Sequence, residues 1–148
     1  MPNPARMWKS APLGMILLPV LALAACGGAE DVPSLTTEER LALPADAATG
    51  ARLARVCRTC HEVADGTGHR VGPNLWGVVG AAAGRHADFA YSKALERSGL
   101  VWDEAALDAY LKDPQGLIPG GRMAYAGMPD PADRRDVIAY LATLEGDR

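Results

Sequence analysis

The sequence predicts an all-α domain of about four short helices at residues 46–148, joined by two long loops, behind a leader of different character. Three observations predict it. Apolar side chains recur at spacings of three and four in the two C-terminal segments. Residues that start helices stand directly before candidate helical runs, among them Asp46 or Thr49, Asp88, Asp103 and Asp130. No segment alternates apolar and polar residues convincingly enough to be a half-buried strand.

The 148 residues suggest one domain, and residues 1–25 stand outside it. Arg6 and Lys9 precede an uncharged, mostly apolar run at 11–25, which is broken by Pro12, Gly14 and Pro19. A basic flank, a short apolar run and small residues at its end make a secretory signal peptide. The run falls short of the ~20 apolar residues of a membrane-spanning helix, so an uncleaved anchor is the weaker reading. The leader ends in LAAC, which resembles the bacterial lipobox and makes Cys26 the expected lipidation site and new N-terminus. Cleavage after the ALA at 22–24 is the alternative; it leaves Cys26 an odd thiol without a role. Beyond residue 25 the chain carries 13 Lys and Arg against 18 Asp and Glu, a formal charge of −5. That excess of acid argues against nucleic acid and against a polybasic membrane patch.

Residues 26–45 hold Gly, Pro, Ser and charges with few large apolar side chains, and read as a lipid-anchored flexible tether. As a coil it spans roughly 25 Å, although LTTEER can form one helical turn. Asp46 or Thr49 caps a helix running into the cysteine pair. A Gly-rich loop at 66–84 follows, without sustained period. Asp88 caps a short helix through FAYSKALERS, and Asp103 begins a third with Leu107, Tyr110 and Leu111 on one face. Pro114 stops that helix, and Pro119, Gly120 and Gly121 make a loop. In the last helix Asp130 is the cap and Pro131 takes the first helical position, where its missing N–H costs nothing. Val137, Tyr140, Leu141 and Leu144 form its buried stripe. Long loops in so small a domain make sense if a large group sits where a core would be.

The segment VCRTCHEV identifies that group. Two cysteines two residues apart suit a redox disulfide, half a zinc site or a covalently held haem. A redox pair of the thioredoxin kind needs a βαβ context that is missing. Structural zinc needs four ligands; Cys57, Cys60 and His61 leave one to find, and His69 and His86 read better as surface loop histidines. Neither alternative requires a histidine directly after the second cysteine. Covalent attachment of haem c does: two thioethers from Cys57 and Cys60 hold one macrocycle edge, and His61 ligates the iron. The leader places the chain outside the cytoplasm, where such attachment occurs in bacteria.

Around CRTCH the chain resembles the class I, mitochondrial-type c cytochromes over about residues 47–145. GPNLWGVVG at 72–80 matches the family's loop after the attachment site, and implies that the Pro73 carbonyl takes the imidazole N–H of His61. FAYS and LVW supply Tyr91 and Trp102, which the resemblance places near a haem propionate. YLKDPQGLIPGGRMAYAG supplies Tyr110 and the distal methionine, and DVIAYL matches the C-terminal helix that crosses the first. The chain departs from the family at several points. Ala81 stands where an arginine usually meets a propionate, with Arg85 four residues on; Gly121 replaces a threonine; Leu53 replaces an aromatic; Gly50 lies one residue closer to the cysteines. The ring of lysines is missing, since only Lys93 and Lys112 follow the leader.

Two methionines compete for the distal position. Met128 stands in a GMP context that many small bacterial cytochromes use. Met123 follows LIPGGR, whose Pro and Gly residues allow close approach of backbone to the ring, and lies 13 residues after Tyr110 as in mitochondrial-type proteins. Met128, two residues before the cap Asp130, is better placed as an apolar staple. Met123 is therefore the expected ligand. The resemblance implies no catalytic residues and a one-electron carrier rather than an enzyme. It would be anchored by lipid at the periplasmic face of a bacterial membrane and exchange electrons with protein partners. Two other readings use the same motif: a haem enzyme or gas sensor with a weak sixth ligand, and a fixed electron-entry subunit of an oxidase or dehydrogenase complex.

Overall fold

A computed structural model describes residues 34–145. The expected signal peptide at 1–25, the candidate lipidation site Cys26 and the tether as far as residue 33 lie outside the described residues.

The helical turn allowed by LTTEER forms as α1 (Thr37–Leu41). Its capping box is reciprocal: Glu39 N–H donates to Thr36 Oγ1 at 3.2 Å, and Thr36 N–H donates to the Glu39 carboxylate at 2.8 Å. The turn is docked. Arg40 meets Asp130, Asp133 and Asp136 at 3.3, 2.6 and 3.0 Å. In return Arg135 donates to the carbonyls of Arg40, Leu41 and Leu43 at 3.0, 3.2 and 2.9 Å. The flexible-coil expectation is corrected for this part of the tether: charge pairing to one later helix face ties it down, a pairing that its composition does not reveal.

α2 (Ala47–Leu53) takes Asp46 rather than Thr49 as its cap, with Ala48 N–H donating to Asp46 Oδ1 at 2.9 Å. A single 3-10 turn at Cys57–Thr59 follows it. The chain then runs without helix to Ser92, which caps α3 (Lys93–Arg97). The expected start at Asp88 is corrected. The Asp88 carboxylate faces His69 at 3.1 Å, and Phe89 and Tyr91 pack their rings edge to face, centroids 4.9 Å apart, instead of winding into a helix.

Asp103 caps α4 (Glu104–Lys112), which buries Leu107 and Leu111. Pro114 does end it, but a further short helix, α5 (Pro114–Leu117), begins at once. Asp113 supplies its cap, accepting from Gly116 N–H at 2.9 Å, and Pro114 takes the first position. The sequence pattern predicts only a stop here. A tight turn at 118–121 follows: Gly121 N–H donates to Ile118 O at 2.9 Å, and Gly120 has φ +82°. Proline second and a positive-φ glycine third is the pattern of a type II turn.

α6 (Pro131–Ala142) starts as expected, Asp130 Oδ1 accepting from Ala132 N–H at 2.8 Å. It crosses α2 at Gly50, where a Cβ would stand 1.9 Å from the Asp136 carbonyl oxygen and 2.9 Å from Tyr140 Cβ. Only glycine permits that approach. Val137, Ile138, Leu141 and Leu144 meet Leu107 and Leu111 of α4 in the core. Arg134, buried, donates to Asp108 of α4 at 2.7 Å and to the carbonyls of Met128 and Pro129 at 2.9 and 2.8 Å. Among the described residues the extended pairing is one isolated antiparallel bridge, Ala82 with Val101, so the all-α class holds.

Candidate cofactor site

The turn after α2 delivers the attachment motif. His61 N–H and Cys60 N–H both donate to the Cys57 carbonyl, at 2.9 and 3.1 Å, which winds the five residues tightly. Cys57 is half-buried and Cys60 exposed. Burial in apolar surroundings pushes the Cys57 thiol above its ordinary range.

His61 follows, with Nδ1 2.6 Å from the Pro73 carbonyl oxygen. A carbonyl only accepts, so Nδ1 carries the proton and Nε2 keeps the lone pair that a metal needs. Burial pushes the His61 pKa down against the raising effect of that carbonyl, which favours the neutral, ligating form. The loop closes over the ring because residue 72 is glycine: a Cβ there would lie 2.3 Å from His61 Cε1. Gly72 N–H donates to the Cys60 carbonyl at 2.8 Å, which fixes the loop against the motif.

Asn74 locks the same loop from within, a role the sequence reading did not give it. Buried, it donates through Nδ2 to the Ala64 carbonyl at 2.8 Å and accepts Trp76 N–H at 2.9 Å. Its backbone N–H donates to His69 Nδ1 at 3.0 Å. That bond assigns the His69 proton to Nε2, which points at Asp88 Oδ1 3.1 Å away. His69, His86 and Asp88 offer ligand atoms within 4.8 Å of one another. With its Nδ1 taken and its Nε2 protonated, however, His69 bridges two loops and has no lone pair for a metal.

These segments enclose a mostly apolar chamber of about 340 Å³, within the range of small cofactor pockets. Cys57, Cys60 and His61 line it, and so does Met123 from the loop after α5. Pro73, Tyr91, Trp102 and Tyr110 also line it, the Trp102 and Tyr110 rings packing with centroids 4.9 Å apart. Burial holds the Tyr91 and Tyr110 phenols above their ordinary pKa, and so protonated. Met128 is elsewhere: buried in the core, with its N–H donating to the Leu111 carbonyl at 2.8 Å. Arg85 reaches the chamber wall, and its guanidinium donates to the Gly77 carbonyl at 2.6 Å and to that of Trp76. Burial lowers its pKa. An apolar chamber with two thiols, one imidazole nitrogen and one thioether in its lining fits a haem held through sulfur and ligated by nitrogen and sulfur.

Comparison with known proteins bears on the family and its cofactor. The family model for cytochrome c matches residues 47–145. Cytochrome c2 of Rhodomicrobium vannielii is 45% identical over 101 residues, covering 68% of this chain and 81% of that protein. Cytochrome c2 iso-2 of Magnetospirillum fulvum is 49% identical over 89 residues, covering 60% of this chain and 92% of its own. Among solved structures, cytochrome cH from Methylobacterium extorquens superposes with a TM-score of 0.63 at 46% identity, over 66% of this chain and 98% of that one. The fold, the CRTCH turn and these likenesses agree: the chain belongs to the cytochrome c family, electron-transfer proteins with covalently attached haem c.

Proposed function

We propose that this cytochrome is a lipid-anchored, periplasm-facing carrier that takes one electron from a protein donor and passes it to a protein acceptor. Cys57 and Cys60 attach the haem, and His61 and Met123 are its iron ligands. The observation that carries the ligand reading is that Met123, and not Met128, lines the chamber that His61 lines. The haem supplies the one-electron chemistry. The chain's own residues do the rest. Pro73 orients His61 and keeps its Nδ1 protonated. Trp102, Tyr110, Leu107 and Leu141 exclude water from the chamber. A methionine thioether, as a soft ligand, favours the reduced iron and raises the potential relative to a second nitrogen. With His61 and Met123 both holding the iron, no position on it would be left for a substrate. Cys26 as lipid carrier accounts for the third cysteine, and the leader accounts for export. No helix among the described residues is long and apolar enough to cross a membrane.

A redox titration followed by optical spectra tests the assignment. The oxidised protein should show the weak long-wavelength methionine-to-iron band. Met123→Ala should abolish it and lower the reduction potential, whereas Met128→Leu should keep it. The opposite pattern would move the ligand role to Met128.

A further inference from the structure

We propose that Gln115 is a positioning residue for Met123: its carboxamide holds the Met123 backbone at the chamber and sets how readily the thioether gives way to a competing ligand. The inference rests on the reading of Met123 as the iron ligand. Met123 sits on a stretch without helix or strand between two fixed points, the turn closed by Gly121 N–H on Ile118 O and the Met128 N–H bond to the Leu111 carbonyl, 2.9 and 2.8 Å. Among the described residues, Arg134 holds its far end at the Met128 carbonyl, and two side chains tie down the part around Met123. Gln115 Nε2 donates to the carbonyls of Gly121 and Met123, at 3.1 and 3.4 Å. Arg122 Nη1 donates to the Ala90 carbonyl at 3.0 Å.

The Gln115 amide has two protons, one for each carbonyl, and the two carbonyls flank Arg122. One side chain therefore holds the 121–122 peptide and the 123–124 peptide, the second of which carries the ligand's own carbonyl. Its own base is rigid: α5 carries Gln115 at its second position, behind Pro114 with its fixed φ and under the Asp113 cap. Residue 121 is glycine, so no side chain at 121 shares the task. A half-buried ligand that is held this way pays little ordering entropy when it binds, and its competitors must displace a pre-placed group. Gln115 lies on the exposed side of the loop, so its removal leaves the core untouched.

The test uses the haem-loaded, oxidised protein with Gln115→Leu, which removes both donors, and Gln115→Glu, which keeps the size and turns oxygens toward the two carbonyls. Imidazole is titrated and the loss of the methionine-to-iron band followed. Both variants should bind imidazole roughly three- to tenfold more tightly than the parent, about the worth of one ordinary hydrogen bond, with Glu the larger effect. A purely structural role would move the denaturation midpoint and leave imidazole affinity alone. Affinities within about twofold of the parent in both variants, on the same hydrogen-bond scale, would overturn the proposal. Met123→Ala separates the two levels: a band that survives there sinks the ligand reading, while a band lost there with unchanged Gln115 variants sinks only the clamp.

Discussion

Gly72 is the residue on which the site turns most sharply. It has no chemistry, yet a methyl group there would overlap the His61 ring. Gly72→Ala should reduce the yield of haem-loaded protein and destabilise what forms by about 1–3 kcal/mol, the usual cost of overpacking; denaturant unfolding and the visible spectrum measure both. The attachment residues were legible in the sequence because five contiguous positions carry thiol, thiol and imidazole together. Met123, the proposed ligand, could be singled out only through the resemblance and its Pro–Gly approach, since it lies 62 residues from His61. Asn74 and Gln115 were not legible. Each acts through carbonyls that only the folded turn brings within reach, and a lone Asn after Gly-Pro or a Gln after Pro has no period or spacing that marks it.

The elements show where local signals stop. Caps at Asp46, Asp103 and Asp130 were readable because a carboxylate before a helix satisfies orphan N–H groups whatever surrounds it. The start of α3 was misplaced because Asp88 is drawn to His69, a partner 19 residues away. α1 docks by charges that face it only once α6 has formed. Asp136, 4% exposed, is central to that docking. Burial works against its ionisation, but Asp46 N–H and the guanidinium groups of Arg135 and Arg40 outweigh burial and hold its pKa below the usual carboxylate value. A carboxyl depressed on folding stabilises above its unfolded pKa, near ~3.9, and that contribution is lost as pH falls through the lower folded value. Amide exchange at 36–46 should therefore accelerate below about pH 4, ahead of exchange in α4, and Arg40→Gln should bring this on at neutral pH. Arg134 ties α6 to α4 and to the Met128 segment. Replacing it with methionine leaves two carbonyls unmet and should cost about 2–4 kcal/mol in urea unfolding.

For the whole molecule, on the function proposed, the leader would set the place and the folded domain the chemistry. Cys26→Ser should release the protein from membranes into the soluble fraction with its visible spectrum and potential unchanged. Retention on the membrane, or a mature N-terminus without acyl groups, would remove the lipid anchor from the account. The acidic balance and the two remaining lysines leave a basic or neutral docking face as the easier match in a partner.

The crossing of α2 and α6 at Gly50 also orders events in time. A chain that emerges from its N-terminus presents Cys57 and Cys60 more than seventy residues before α6 begins at Pro131. Until α6 arrives, the α2 face around Gly50 has nothing to pack on, and contacts so far apart in sequence are the slow ones to form. The two sulfurs are thus on offer while the C-terminal helix is still unmade. The topology lets haem attachment begin before the α2–α6 crossing has formed, and a chain truncated before Pro131 still carries the whole CRTCH motif.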